Sequence, residues 1–189
     1  NGLYSPVGKA QKGWFVEDKA KVFFDKTDDG DSFMVDNNGH YTKFRAYGVD
    51  TAETTYTVDN ASRVIEQAGR NMPGGGDVIH EMKIGKEAKA RLRTLSVDGN
   101  VIIVTQNKSV IDKDRGKEKD RRYAQIIVNI DGQHVSWSEY MLANGLATVV
   151  TKSNTTPVIS PFTGEDLKPR YKKLEAHAKA NRLGRYENL

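Results

Sequence analysis

Phe44-Arg45-Ala46-Tyr47-Gly48-Val49-Asp50-Thr51-Ala52-Glu53-Thr54 reads as the end of a buried strand running into a turn, with one arginine and two carboxylates at fixed spacing. Working outward, Thr42 to Val49 is the strand, and Asn37-Asn38-Gly39 separates it from Ser32-Phe33-Met34-Val35. Asn and Gly tolerate the positive φ of a tight hairpin turn, so these two strands should pair. Lys21 to Asp25 supplies a strand before them, and Val101 to Thr105, Ala124 to Ile130 and Leu146 to Val150 supply strands after. Helices are predicted at three places. Gly85 to Leu95 puts Ala88, Leu92 and Leu95 on one face; Ser136 begins a second helix, closed by Gly145; Leu167, Tyr171, Leu174 and Ala178 define a third. Short strands interrupted by a helix predict an α+β fold: a small five-stranded OB-like Greek-key β-barrel with about three packed helices.

The 189 residues suffice for one domain with a proper core. Residues 1–18 are expected to be a loosely attached arm pinned by Trp14 and Phe15, and residues 19–189 the domain. Its rhythm breaks at about 55–83, where a helix-like stretch from Ser62 to Arg70 precedes Pro73-Gly74-Gly75-Gly76. No apolar run approaches the roughly 20 residues that a membrane span needs. With no cysteine, disulfides, thiolate zinc sites and cysteine nucleophiles are excluded. The four histidines show no metal-ligand spacing. Net charge is +4, too mild to name a partner by itself, but seven basic residues and one acid, Glu175, lie between Lys168 and Arg185. Such a helical face suits either a polyanion or plain solvation.

Around the central stretch lie an acidic cluster, Asp28-Asp29-Gly30-Asp31-Ser32, and a basic one, Lys119-Asp120-Arg121-Arg122. Carboxylates to hold a cation and arginines to hold a phosphate are what phosphodiester hydrolysis requires. Each group also has a structural reading. The aspartates suit a hairpin turn, Arg45 could pair with Glu53, and Asp50-Thr51 could cap a helix.

Taken together, DGDS (29–32), FRAYGVDTAE (44–53), GKEAKARL (85–92), DRRYAQIIV (120–128), EYMLANGLATV (139–149) and LEAHAKANRLGRY (174–186) resemble, in order, the staphylococcal nuclease (thermonuclease) family. The resemblance implies an OB-like barrel with one Ca²⁺ beside the scissile phosphate. Asp31 and Asp50 would be carboxylate ligands and Thr51 a carbonyl ligand, a hard-oxygen set that suits calcium. Glu53 would polarise the attacking water and Arg45 would bind the phosphate. For the second catalytic arginine, counting back from Ala124 gives Arg121, and sliding one residue gives Arg122. The implied activity is hydrolysis of DNA and RNA, single strands preferred, leaving 3′-phosphate ends. The alternative is a catalytically inactive nucleic-acid-binding module of the same fold. A monomer is expected, and the lack of cysteine with a non-methionine start leans toward a secreted or cell-surface bacterial protein.

The chain departs from the family in three places. Ala52 stands where proline is usual, and the connection after Glu53 is longer. Thr148 to Ser153 lacks the tyrosines that other members set against the nucleotide, a role for which Tyr47, Tyr56 and Tyr123 are candidates.

Overall fold

Alternating β-branched and aromatic residues build a curled sheet, and its curl sets where the functional side chains emerge. The computed structural model describes residues 2–18, 20–24, 30, 32–37, 40–51, 61–62, 65, 78–97, 101–106, 122–150 and 158–189. The strands are β1 (Phe15–Glu17), β2 (Lys21–Phe23), β3 (Ser32–Asn37), β4 (His40–Ala46), β5 (Val49–Thr51), β6 (Ile102–Thr105), β7 (Arg122–Ile130), β8 (Gln133–Ser136) and β9 (Ala147–Val149). The helices are α1 (Val78–Ser96), between β5 and β6, α2 (Trp137–Ala143) and α3 (Lys168–Ala180); a 3₁₀ turn, Gly184–Tyr186, follows α3.

The main sheet runs β1-β6-β7-β4-β3-β2, with β8 also on β7, while β5 and β9 form a separate pair. β7 curls the sheet because it changes partners along its length. Phe44 to Ala46 lie parallel to Arg122 to Ala124, then Ile102 to Val104 pair antiparallel with Gln125 to Ile127. Beyond that, Ile127 to Ile130 pair with β8. The Ala20 N–H donates to the Val101 carbonyl at 3.2 Å and ties the lead-in of β2 to that of β6. Alternation turns Phe33, Val35, Phe44, Ala46, Ile103, Ala124, Ile126 and Val128 inward. Ile84, Ala88 and Leu92 of α1 and Trp137, Met141 and Leu142 of α2 complete this core. Three helices on a curled half-barrel are the α+β OB-like fold expected; β1, β5 and β8 are short strands beyond those anticipated.

The expected pairing of β3 with β4 is present. Asn37 faces His40, which leaves two residues, themselves outside the described set, in the connection. A second hairpin, β7–β8, turns at Asp131 (φ 51°) and Gly132 (φ 86°). α2 ends as expected: Gly145 has φ 70° and its N–H bonds the Leu142 carbonyl at 3.2 Å. α3 buries Tyr171, Leu174 and Ala178, with Leu167 as its cap, as its spacing predicted.

Two segments differ from expectation. The arm is not loose: β1 pairs with β6, and the Ser5 N–H and hydroxyl both bond the buried Glu139 carboxylate of α2. α1 begins at Val78, seven residues before the predicted Gly85, so positions 78–83 of the long connection are helical. Its first turns are held from far away, since Arg185 of the 3₁₀ turn bonds Glu81, and both side chains are buried. Ala61, Ser62 and Ile65 are helical, in keeping with the helix-like stretch. The remainder of that stretch, the triple glycine, Tyr56 and residues 112–121 lie outside the described residues.

Candidate active site

β4 fixes Arg45. Phe44 and Ala46 on either side are buried in the core, so alternation sends Arg45 to the other face. There it lies between Ser32 of β3 and Tyr123 of β7 in register. The chain then turns through Tyr47 and Gly48 into β5, where Val49 and Thr51 are buried and Asp50 between them is half-buried. This return brings Asp50 back to Arg45, whose Nη2 donates to Asp50 Oδ1 at 3.0 Å. The two side chains are 23% and 26% exposed, shielded enough to strengthen the interaction and open enough to meet a ligand.

Gly48 is essential to that return. Its φ is 81°, and a Cβ built there would lie 2.8 Å from Tyr171 Cε2 and 3.0 Å from Val158 Cγ2. The wall behind it is rigid. The Tyr171 hydroxyl accepts from Gln125 Nε2 at 3.0 Å, and Gln125 Oε1 accepts from the Ser136 hydroxyl at 2.9 Å. Burial drives the Tyr171 pKa well above the ordinary tyrosine range, so the phenol stays neutral. Through this wall α3 holds the turn that carries Asp50.

Gly30 is a second anchor. The Trp137 indole N–H donates to its carbonyl at 3.0 Å, and a Cβ on Gly30 would sit 2.7 Å from the Ala88 Cβ. Gly30 immediately precedes Asp31, and Ser32, which follows, faces Arg45 across the ladder. Ser32 thus stands opposite the arginine and Gly30 is held against Trp137 and Ala88, while Asp31 itself lies outside the described residues, as do Glu53 and Arg121. Arg122 opens β7 opposite Phe44.

Of the anticipated site, the structure brings Arg45 and Asp50 together, with Thr51 buried next to Asp50 in β5. Asp50 contributes a hard oxygen donor at a partly open rim, which suits a calcium-type cation. Among the described residues no group of three or more His, Asp or Glu side chains could by itself hold a metal. Thr51 is paired in β5 with Ala147, and the residues that follow it lie outside the described set.

Tyr47 and Tyr123, named in the sequence only as candidates, form a pair beside Arg45 with ring centroids 5.6 Å apart at 59°. Tyr123 is 42% exposed, and burial, then the neighbouring Tyr123 and Asp166, push the Tyr47 pKa up. Its two tyrosines are 76 positions apart, and only the β4–β7 register joins them.

A curled OB-like sheet, an arginine and a carboxylate bonded at its rim, and aromatic rings alongside define the protein's class: a nuclease-like or nucleic-acid-binding domain. The chain belongs to a particular family of that class. The family model described as staphylococcal nuclease homologue matches residues 43–188, from β4 through the C-terminal 3₁₀ turn. No curated protein matches it. Among the described residues, no helix is long and apolar enough to cross a membrane.

Proposed function

We propose that this protein is a calcium-dependent nuclease that hydrolyses phosphodiester bonds of DNA and RNA, preferring single strands and leaving 3′-phosphate ends. The observation that carries the reading is the Arg45–Asp50 pair, held by the Gly48 turn beside the anchored neighbours of Asp31. Asp31, Asp50 and the Thr51 carbonyl would hold the cation, which when bound supplies Lewis-acid polarisation of the phosphate. Arg45 binds two phosphate oxygens and stabilises the charge that grows on them. Glu53 orients a water and takes its proton as the water oxygen bonds to phosphorus. The bond to the 5′-oxygen breaks, that oxygen takes a proton from solvent water as it leaves, and Glu53 returns its own proton to solvent. The second arginine is Arg121, counted back along the sequence from Ala124, with Arg122 as the alternative register.

The Arg45–Asp50 bond also favours a second reading, in which the pair is structural and the domain binds nucleic acid without cutting it. A cleavage assay on single-stranded DNA, with calcium and with chelator, followed by end-group analysis, separates the two. The nuclease reading expects calcium-dependent products with 3′-phosphates. It also expects Glu53→Gln and Arg45→Ala to lower turnover by at least about a hundredfold while folding survives. Intact DNA in the presence of calcium, with retained binding, would establish the second reading instead.

A further inference from the structure

Tyr123 holds the place in the sheet directly beside Arg45. The two are partners in the parallel pairing of β4 with β7, and partners on adjacent strands share a face, with their backbones about 4.8 Å apart. Phe44 and Ala46 on one strand and Ala124 on the other are buried, so Arg45 and Tyr123 both rise from the face turned away from the core. Tyr123 is 42% exposed there.

The structure holds this tyrosine firmly. Its carbonyl accepts from the Thr105 hydroxyl of β6 at 2.9 Å, and the neighbouring Ala124 carbonyl accepts from the Tyr47 N–H at 3.1 Å. Its ring lies against Tyr47, with centroids 5.6 Å apart and planes at 59°. At that distance the two rings are in direct contact, so no base fits between them. Tyr47 is anchored in turn, since its carbonyl accepts from the Ser138 hydroxyl at 3.1 Å. The polar end of Tyr123 is not used by this packing: among the described residues no hydrogen bond reaches its hydroxyl.

Arg45 leaves room for a second donor. Its Nη2 is given to Asp50 at 3.0 Å, while a phosphodiester presents two non-bridging oxygens. Arginine and tyrosine side chains are of similar length, so their polar ends can stand about one strand spacing apart. That gap suits a phosphate with a hydrogen bond on either side. The acids nearby are engaged. Asp50 is bonded to Arg45, and Asp166, whose charge reaches Tyr47, accepts from the Val158 and Lys168 N–H groups at 3.2 and 3.1 Å.

We propose that Tyr123 is a catalytic residue, its phenol O–H donating a hydrogen bond to a non-bridging oxygen of the phosphate held by Arg45. The proposal rests on the reading of the Arg45–Asp50 site as a nucleic-acid site. The hydroxyl keeps its proton throughout, so the balance of the hydrolysis is unaltered. Stacking of the exposed ring on a base would need no hydroxyl, and that difference separates the two uses of this side chain.

The test is fluorescence anisotropy in chelator, with labelled tetrathymidylate and with its analogue in which every linkage is a neutral methylphosphonate. Tyr123→Phe keeps the ring and loses only the hydroxyl, so its unfolding midpoint should match that of the wild type. It should weaken tetrathymidylate by about tenfold or more, the effect of one hydrogen bond to a charged acceptor, and the analogue by no more than about threefold. Tyr123→Leu, which loses the ring as well, should weaken both. An equal loss for both ligands with Tyr123→Phe, or no loss for either, overturns the proposal and leaves the ring as a stacking surface. Failure of the nuclease reading is distinct: tetrathymidylate would bind with the hydroxyl-dependent affinity yet remain uncut when calcium is restored.

Discussion

Replacing Gly48 with alanine tests how the rim of the sheet is held. Two costs are expected. At φ 81° an L-residue sits in the left-handed region, at about 1–2 kcal/mol. The added methyl would also meet Tyr171 Cε2 at 2.8 Å and Val158 Cγ2 at 3.0 Å, an overpacking worth about 1–3 kcal/mol. The sum, about 2–5 kcal/mol, is a large part of the roughly 5–15 kcal/mol that holds a domain folded. At about 2–4 °C per kcal/mol for a chain of this size, a loss of about 3 kcal/mol lowers the unfolding midpoint by about 6–12 °C. The assay is urea and thermal unfolding in a double-mutant cycle with Tyr171→Leu, which removes the ring edge but leaves φ unchanged. In the Tyr171→Leu background Gly48→Ala should keep the φ component and the contact with Val158 but lose the contact with the ring, giving a coupling on the order of 1 kcal/mol. Equal costs in both backgrounds would refute the wedge, and a cost below about 1 kcal/mol in the wild type would refute the backbone reasoning as well.

Two further expectations concern the parts that frame the site. Glu81→Gln leaves the Arg185 guanidinium buried without its carboxylate and should cost about 3–5 kcal/mol in urea unfolding, whereas Glu81→Met/Arg185→Leu should be close to neutral; a single-variant cost under about 1 kcal/mol would contradict this. Burial raises the Glu139 pKa above its ordinary value of 4.5, against the opposing pull of the Ser5 bonds and Arg170 and with a small contribution from Glu165. The folded state therefore binds a proton that the unfolded state has released, and stability falls as pH rises from about 4.5 through the raised folded value. Glu139→Gln keeps an acceptor for the Ser5 N–H and should remove that slope from unfolding measured across this window; parallel pH profiles for the two proteins would rule it out.

Much of the fold was legible because its causes are local. Asn-Gly set the β3–β4 hairpin, Gly145 ended α2, and the spacing of Tyr171, Leu174 and Ala178 marked the buried face of α3. The spacing of Arg45 and Asp50 likewise indicated that they act together, since a strand and a two-residue turn allow little else. Turn preference and side-chain period act within a few residues, so a sequence displays them directly.

Long-range choices were not legible. Nothing local says that Ser5 bonds Glu139, that Trp137 holds the residue before Asp31, or that Arg185 secures the first turns of α1 from 104 positions away. Nor does it say that Tyr47 and Tyr123 meet beside Arg45, or that Tyr171 stands behind Gly48. These follow from which strands pair and which faces are buried together, and burial and pairing are settled by the whole chain at once. The sequence named the chemistry of Arg45, Asp50 and Thr51; the tertiary structure placed an arginine and a carboxylate 3.0 Å apart at a rim that α2 and α3 support from behind.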